Sequence, residues 1–302
     1  MSHSQTRTEP TNALQPLLLL GLCGFVFASK IMISKAALDA GADPFQLGVV
    51  GNLGAGLLLS VWLVVQRETI SFQRRNIALY LALGIVSVAL PTVLSFFVVE
   101  RVGPAYAATV YSLSPVLTMS FAAGFGIERM TVQRTVGIAS GLLGMLALVQ
   151  QQLAAIDFGQ TAWVVIGLLI PACAALGNII RSAFWPKKAS ALAFACATLF
   201  TSSLLMSALS PVFASPFRWS FDEPALAFWL IGFVLVSALS YVLNFRLQGV
   251  AGPVVFSQIG YWGTGFGILL AAILFGDVLT ALSLVGLAAI ITGGVLANRH
   301  RH

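Results

Sequence analysis

Ten long apolar stretches joined by short polar linkers dominate this sequence: residues 14–37, 44–66, 77–99, 103–125, 132–150, 161–185, 189–213, 225–247, 252–275 and 279–297. A helix needs about 20 apolar residues to cross a hydrocarbon core of roughly 30 Å. In lipid, only helices and closed barrels satisfy every backbone polar group. The pattern therefore predicts an all-α membrane protein of ten transmembrane helices. In a chain of 302 residues, 58% apolar and 9% charged, these spans leave no room for a soluble catalytic or nucleic-acid-binding domain. Function is expected inside the bundle, with the lipid bilayer and a small-molecule substrate as partners, no nucleic acid, and the chain acting as a monomer.

The net charge of +6 reads as a topology signal, because the basic residues are dispersed. If the N-terminus is cytoplasmic, the inner side receives Arg7, Arg67, Arg74, Arg75, Arg129, Arg134, Arg181, Lys187, Lys188, Arg246, Arg299 and Arg301. The outer side receives Lys35, Arg101 and Arg218. Twelve against three places both termini in the cytoplasm of a multi-pass plasma (inner) membrane protein. Span 1 runs on past Ala28, too long for the apolar core of a signal peptide, and is read as a retained helix.

Two counts narrow the chemistry. His3, His300 and His302 all lie in the tails, so no histidine-based metal site or triad is expected in the bundle. Cys23, Cys173 and Cys196 stand singly in apolar stretches without a CxxC, which reads as packing rather than metal binding. No catalytic set, metal or cofactor is expected.

A shift of the sequence on itself by 149 residues superposes Gly103-Pro104 on Gly252-Pro253, Glu128 on Asp277, Thr131 on Thr280, Gly137 on Gly286 and Gly144 on Gly293. Nine of the 42 positions from 103 to 144 are identical without a gap. A shift of 146 pairs Lys35 with Arg181. Five spans per repeat is odd, so the halves enter the membrane in opposite senses, an arrangement typical of secondary transporters. The domains follow: a tail at 1–12, a first repeat at 13–150, a second at 151–298 and a tail at 299–302.

The run ERVGPAYAATVYSLSPVLTMSFAAGFGIERMTVQRTVGIASGLLGMLALV resembles the distal half of an EamA domain, with small residues after a Gly, a mid-helix Pro, an acid-bearing turn and a Gly-spaced last helix. Gly252 to Ala297 repeats that plan, and SKAALDAGADPFQLGVV resembles the family's span 1–2 junction. The chain thus looks like two EamA units of the drug/metabolite transporter superfamily. The resemblance implies ten helices, inverted repeats, and a central cavity formed largely by spans 1, 3, 4, 6, 8 and 9. It also implies export of amino acids or other metabolites. Asn52 stands where many members carry an Arg, Cys23-Gly24 replaces a Trp-Gly pair, and Thr264 replaces the second proline.

Charge at membrane depth is costly and usually functional. Lys30 is the one clearly intramembrane cation, about 7 Å beyond the centre of span 1, and is a candidate partner for a substrate carboxylate. No Asp or Glu lies near a span centre, which favours zwitterionic, neutral or anionic cargo moved by facilitated diffusion or exchange. Polar and aromatic groups at mid-depth complete the substrate-binding candidates: Ser87, Tyr111, Ser112, Asn178, Tyr241, Tyr261 and Trp262. Apolar walls with a few polar groups suit an amino acid with an aromatic or apolar side chain. Pro91, Pro115 and Gly263 are the hinge or gating candidates. Export of drugs or of nucleobase and anionic metabolites is the alternative. A lipid-acting enzyme would show a clustered acid, His or Ser set at the interface, and a membrane scaffold would need no mid-depth polar cavity.

Overall fold

In the computed structural model, residues 14–101, 110–111, 113–154, 161–185, 190–213, 224–275 and 280–298 are described. Among them the structure is helical, with no strand. The sequence-predicted tails, the candidate Ser112, and Lys187 and Lys188 lie outside these residues, as does the Lys35 side chain.

The helices follow the apolar stretches. In the first half they are α1 Leu14–Asp39, α2 Pro44–Val65, α3 Arg74–Leu83, α4 Leu90–Arg101, α5 Ser114–Gly124 and α6 Val132–Ala154. In the second half they are α7 Thr161–Gly167, α8 Leu169–Phe184, α9 Ala191–Phe213, α10 Pro224–Ser257, α11 Ile259–Phe275 and α12 Ala281–Asn298. Among the described residues, six stretches are long and apolar enough to cross a membrane: Leu14–Asp39, Phe45–Val65, Arg74–Ser95, Ala162–Phe184, Ala191–Pro211 and Pro224–Ser257. Leu284–Ala297 is a shorter apolar helix.

Local chemistry sets the boundaries. Asp43 caps α2, its carboxylate accepting from the backbone N–H of Phe45 at 2.9 Å and of Gln46 at 3.0 Å, while Pro44 supplies a first helical residue that needs no donor. Between α3 and α4 the chain widens into a π turn at Gly84–Ala89. Pro91 explains it: lacking an N–H, it cannot bond the Ser87 carbonyl four residues back, and the helix loosens there. The apolar run around Gly252 breaks into two helices because Gly252 adopts φ 79°, a left-handed value that a residue with a Cβ resists. The break falls where spans 8 and 9 were predicted to part.

Packing is inverted relative to a water-soluble protein. On α1, Leu18, Leu22 and Phe25 are exposed, and on α10 Phe228, Ile231, Leu235 and Leu239 are exposed. Both sets recur at three- and four-residue spacing, so each is one helical face. Asn52, Thr118, Asn178, Arg181, Ser237, Ser240 and Gln248 are meanwhile buried. A surface of exposed leucines around buried polar groups suits lipid as solvent. The protein is a multi-pass membrane protein.

Helix α1 lies against α10 and α11, α2 against α9 and α10, and α6 against α12. The α6–α12 seam is made by glycines. A Cβ on Gly137 would meet the Gly293 carbonyl oxygen at 2.6 Å, and one on Gly293 would meet the Gly137 carbonyl oxygen at 2.4 Å. Backbones this close rely on small residues on both faces.

Candidate functional site

One face of α10 organises the polar interior. Phe233, Ser237, Tyr241, Phe245 and Gln248 recur at three- and four-residue spacing, covering about 22 Å of helix. Two cations from different helices lie on this face. Lys30 of α1 holds its Nζ 5.2 Å from the Phe233 ring centroid and 5.4 Å from that of Tyr241. Arg181 of α8 places its guanidinium 4.5 Å from the Phe245 ring and 5.3 Å from that of Phe256. The Tyr241 and Phe245 centroids are 6.4 Å apart, so the aromatic ladder joins the two charges. Among the described residues, no carboxylate pairs with either. Cation–π contact offsets only part of the cost of taking such charges out of water.

Polar partners fix the rest of this strip. The Tyr241 hydroxyl donates to Asn52 Oδ1 at 3.4 Å, and Asn52 Nδ2 reaches Met206 Sδ at 3.8 Å. Arg181 donates through Nη1 to Gln248 Oε1 at 2.6 Å and through Nη2 to Ser87 Oγ at 2.9 Å. Gln248 Nε2 donates to the Asn178 carbonyl at 2.7 Å and to Ser182 Oγ at 2.8 Å. Asn178 Nδ2 in turn donates to Thr118 Oγ1 at 3.3 Å. This network ties α8, α10, α5 and the π turn together. The side chain of Ser237 and the Asn244 Oδ1, both buried on α10, have no hydrogen-bond partner among the described residues.

Beside the network is a cavity of about 520 Å³ lined by Ile127, Glu128, Arg134, Ser182, Trp185, Gln248, Gly249, Gly252 and Pro253. That volume matches a small-molecule site. Glu128 and Arg134 form an ion pair on its wall, and the Gly252 bend shapes its floor.

The sequence candidates thus fall into groups. Ser87 and Asn178 share the Arg181 network, and Lys30 and Tyr241 form the other end of the strip. Tyr111 is separate: its hydroxyl meets Ser95 Oγ at 3.0 Å, and Ser95 donates to the Pro91 carbonyl at 2.6 Å. Pro115 is the second residue of α5, after a break in the helix at Leu113. Tyr261 is 2% exposed and packs against Met145 and Ile290, its ring filling the space over Gly141. Trp262 is wedged between Gly21 and Gly24 of α1 and Gly294 of α12, with Nε1 buried and unbonded among the described residues. Gly263 sits within helical α11, where a Cβ would meet Phe27 at 2.3 Å.

Sequence reasoning missed Arg181 and Gln248. Arg181 was assigned to the cytoplasmic margin, yet it is 5% exposed. The available signal was Lys187-Lys188, a basic pair six residues further along the sequence that already serves as a membrane-exit signal and leaves Arg181 on the span side of it.

Residues 14–150 match the EamA-like transporter family. The first half of the chain is therefore similar to an EamA-like transporter domain. The matched family is one of membrane transporters, in line with the drug/metabolite transporter superfamily. A relative from Chlamydia trachomatis serovar L2, named S-adenosylmethionine/S-adenosylhomocysteine transporter, is 29% identical over 131 residues, 43% of this chain. The match spans 39% of that relative's length. A crystal structure described only as that of a protein superposes with a TM-score of 0.77 at 13% identity, covering 94% of this chain and 98% of the other. At that identity the likeness speaks for the fold alone.

Proposed function

We propose that this EamA-type protein is a secondary transporter that exports amino acids, above all those with aromatic or apolar side chains, or similar small metabolites. It works by alternating access between two inverted five-helix halves, residues 13–150 and 151–298, within ten spans and with both termini cytoplasmic. Cargo moves by facilitated diffusion or exchange.

The observation that carries this reading is the strip on α10, where Lys30 rests over Phe233 and Tyr241 with no carboxylate partner among the described residues. A half-buried ammonium between aromatic rings offers a carboxylate its charge partner and a planar side chain its stacking surfaces. In this reading Tyr111 and Ser112 extend the pocket, Tyr261 and Trp262 brace the helices behind it, and Pro91, Pro115 and Gly263 let the helices flex around it.

A second reading draws on the Chlamydia trachomatis relative: the cargo carries a purine as well as an amino-acid head, as S-adenosylhomocysteine does. The two readings share the head group and differ in what the aromatic rings hold. Uptake by purified protein in proteoliposomes separates them. Labelled phenylalanine, leucine, S-adenosylmethionine and S-adenosylhomocysteine are offered with and without an imposed pH gradient. Saturable, gradient-independent phenylalanine uptake supports the first reading, and uptake confined to the adenosyl compounds supports the second. No uptake of any of them by folded protein removes both.

A further inference from the structure

Arg181 is the deepest charge in the network and its hydrogen bonds are incomplete. It is 5% exposed, and its Nε is buried without a hydrogen-bond partner among the described residues. Nearby Arg134 has Glu128 as its counter-ion. Among the described residues, Arg181 hydrogen-bonds only to the neutral oxygens of Gln248 and Ser87. Neutral acceptors supply hydrogen bonds but no opposite charge to a guanidinium, whereas a carboxylate supplies both, and the planar fork of Arg is built for two carboxylate oxygens.

Gln248 shows where an anion would enter. Its Nε2 donates both to the Asn178 carbonyl and to Ser182 Oγ, which fixes the amide so that Oε1 faces Arg181. The same side chain forms part of the wall of the 520 Å³ cavity. Arg181 therefore lies one side chain behind the cavity, shielded by an amide oxygen in the position a carboxylate oxygen would take. Trp185 lines that cavity and sits 6.0 Å from Phe245, centroid to centroid. An aromatic wall thus stands beside the charge.

We infer that Arg181 is the recognition group for the cargo's carboxylate, which reaches it from the Glu128–Trp185–Gly252 cavity by displacing the Gln248 amide oxygen. The inference rests on the carrier reading and adds the chemical class: solutes with a free carboxylate, shared by amino acids and their adenosyl derivatives. Gln248 then acts as a stand-in acceptor that keeps Arg181 in place until the carboxylate arrives. Lys30, at the other end of the ladder, is the second cation such a solute meets.

The test reads binding apart from flux. Full-length protein in detergent is melted with phenylalanine or S-adenosylhomocysteine, and with phenylalaninamide, which lacks the carboxylate. Wild-type protein is expected to prefer acid over amide by about tenfold or more in half-maximal concentration, as one lost charge-assisted pair implies. Arg181→Gln should bring acid and amide within about twofold of each other. Arg181→Lys keeps the charge without the fork, so it should retain the preference at roughly tenfold weaker binding. It also serves as the test if Arg181→Gln does not fold. Equal response of wild-type protein to acid and amide, no response to any carboxylate, or a full preference surviving in Arg181→Gln would each overturn the assignment. Binding without flux would instead remove the carrier reading and leave Arg181 in place. Flux of acid and amide alike would do the reverse.

Discussion

Lys30 and Tyr241 meet with the ammonium 5.4 Å from the ring centroid, joining a helix of the first half to the helix that carries most of the polar interior. The tyrosine hydroxyl is turned to Asn52, leaving its ring face for the cation. Substituting Lys30→Met removes the charge and keeps much of the apolar stem. Flux of amino-acid cargo should fall by about tenfold or more, the scale of one charged pair. The melting temperature should hold or rise, because a half-buried charge without a carboxylate partner among the described residues is lost. Initial uptake rates and thermal melting of the same preparation check both.

Tyr241→Phe keeps the ring and deletes the hydroxyl. Because the bond to Asn52 Oδ1 is long at 3.4 Å, the stability loss should not exceed about 1 kcal/mol. Cation–π contact with Lys30 is retained, so transport should stay within about threefold of wild type. Tyr241→Leu removes the ring face and should weaken flux as Lys30→Met does. Comparing KM for the two variants checks this.

Pro91 is the source of the π turn that carries Ser87 to Arg181. Pro91→Ala restores an N–H for the Ser87 carbonyl, and the segment Gly84–Ala89 should tighten toward an α-helix. Ser87 then rotates away from Arg181 and from Gly177, whose missing Cβ leaves the space in which Ser87 sits. The expected outcome is equal or higher thermal stability with exchange slowed several-fold, read as kcat falling more than KM changes.

Gly137→Leu should separate α6 from α12. A Cβ there would stand 2.6 Å from the Gly293 carbonyl oxygen, closer than real Cβ contacts allow. Overpacking of this kind costs about 1–3 kcal/mol. The melting temperature should drop, while the acid-over-amide preference, which depends on distant Arg181, stays. Melting curves with and without phenylalanine separate the two effects.

How much was legible in the sequence differs by feature. Apolar length located the helices, and Gly252-Pro253 marked the break between spans 8 and 9, because a backbone needing φ 79° has few residues to choose from. Orientation of side chains was harder. A helix apolar all round gives little periodic contrast, so mid-depth position alone placed Trp262 in the cavity, whereas its ring lies between Gly21, Gly24 and Gly294. Here the small residues were the better guide. Arg181 was counted with the topology cations because charge near a span end normally reaches water, and burial depends on partners such as Gln248 that are 67 residues away in sequence. The π turn before Pro91 is a three-dimensional answer to a missing donor, and a proline alone does not distinguish it from a simple kink.

The central claim is a binding strip that faces one side of the membrane at a time. It is tested most directly by counterflow. Proteoliposomes containing the purified protein are preloaded with excess unlabelled phenylalanine or S-adenosylhomocysteine and diluted into a trace of the same labelled solute. A carrier whose site alternates will accumulate label transiently above the outside concentration and then release it, and Lys30→Met protein will lose that overshoot. A monotonic approach to equal concentrations, unaffected by preloading, would describe a pore and contradict the account.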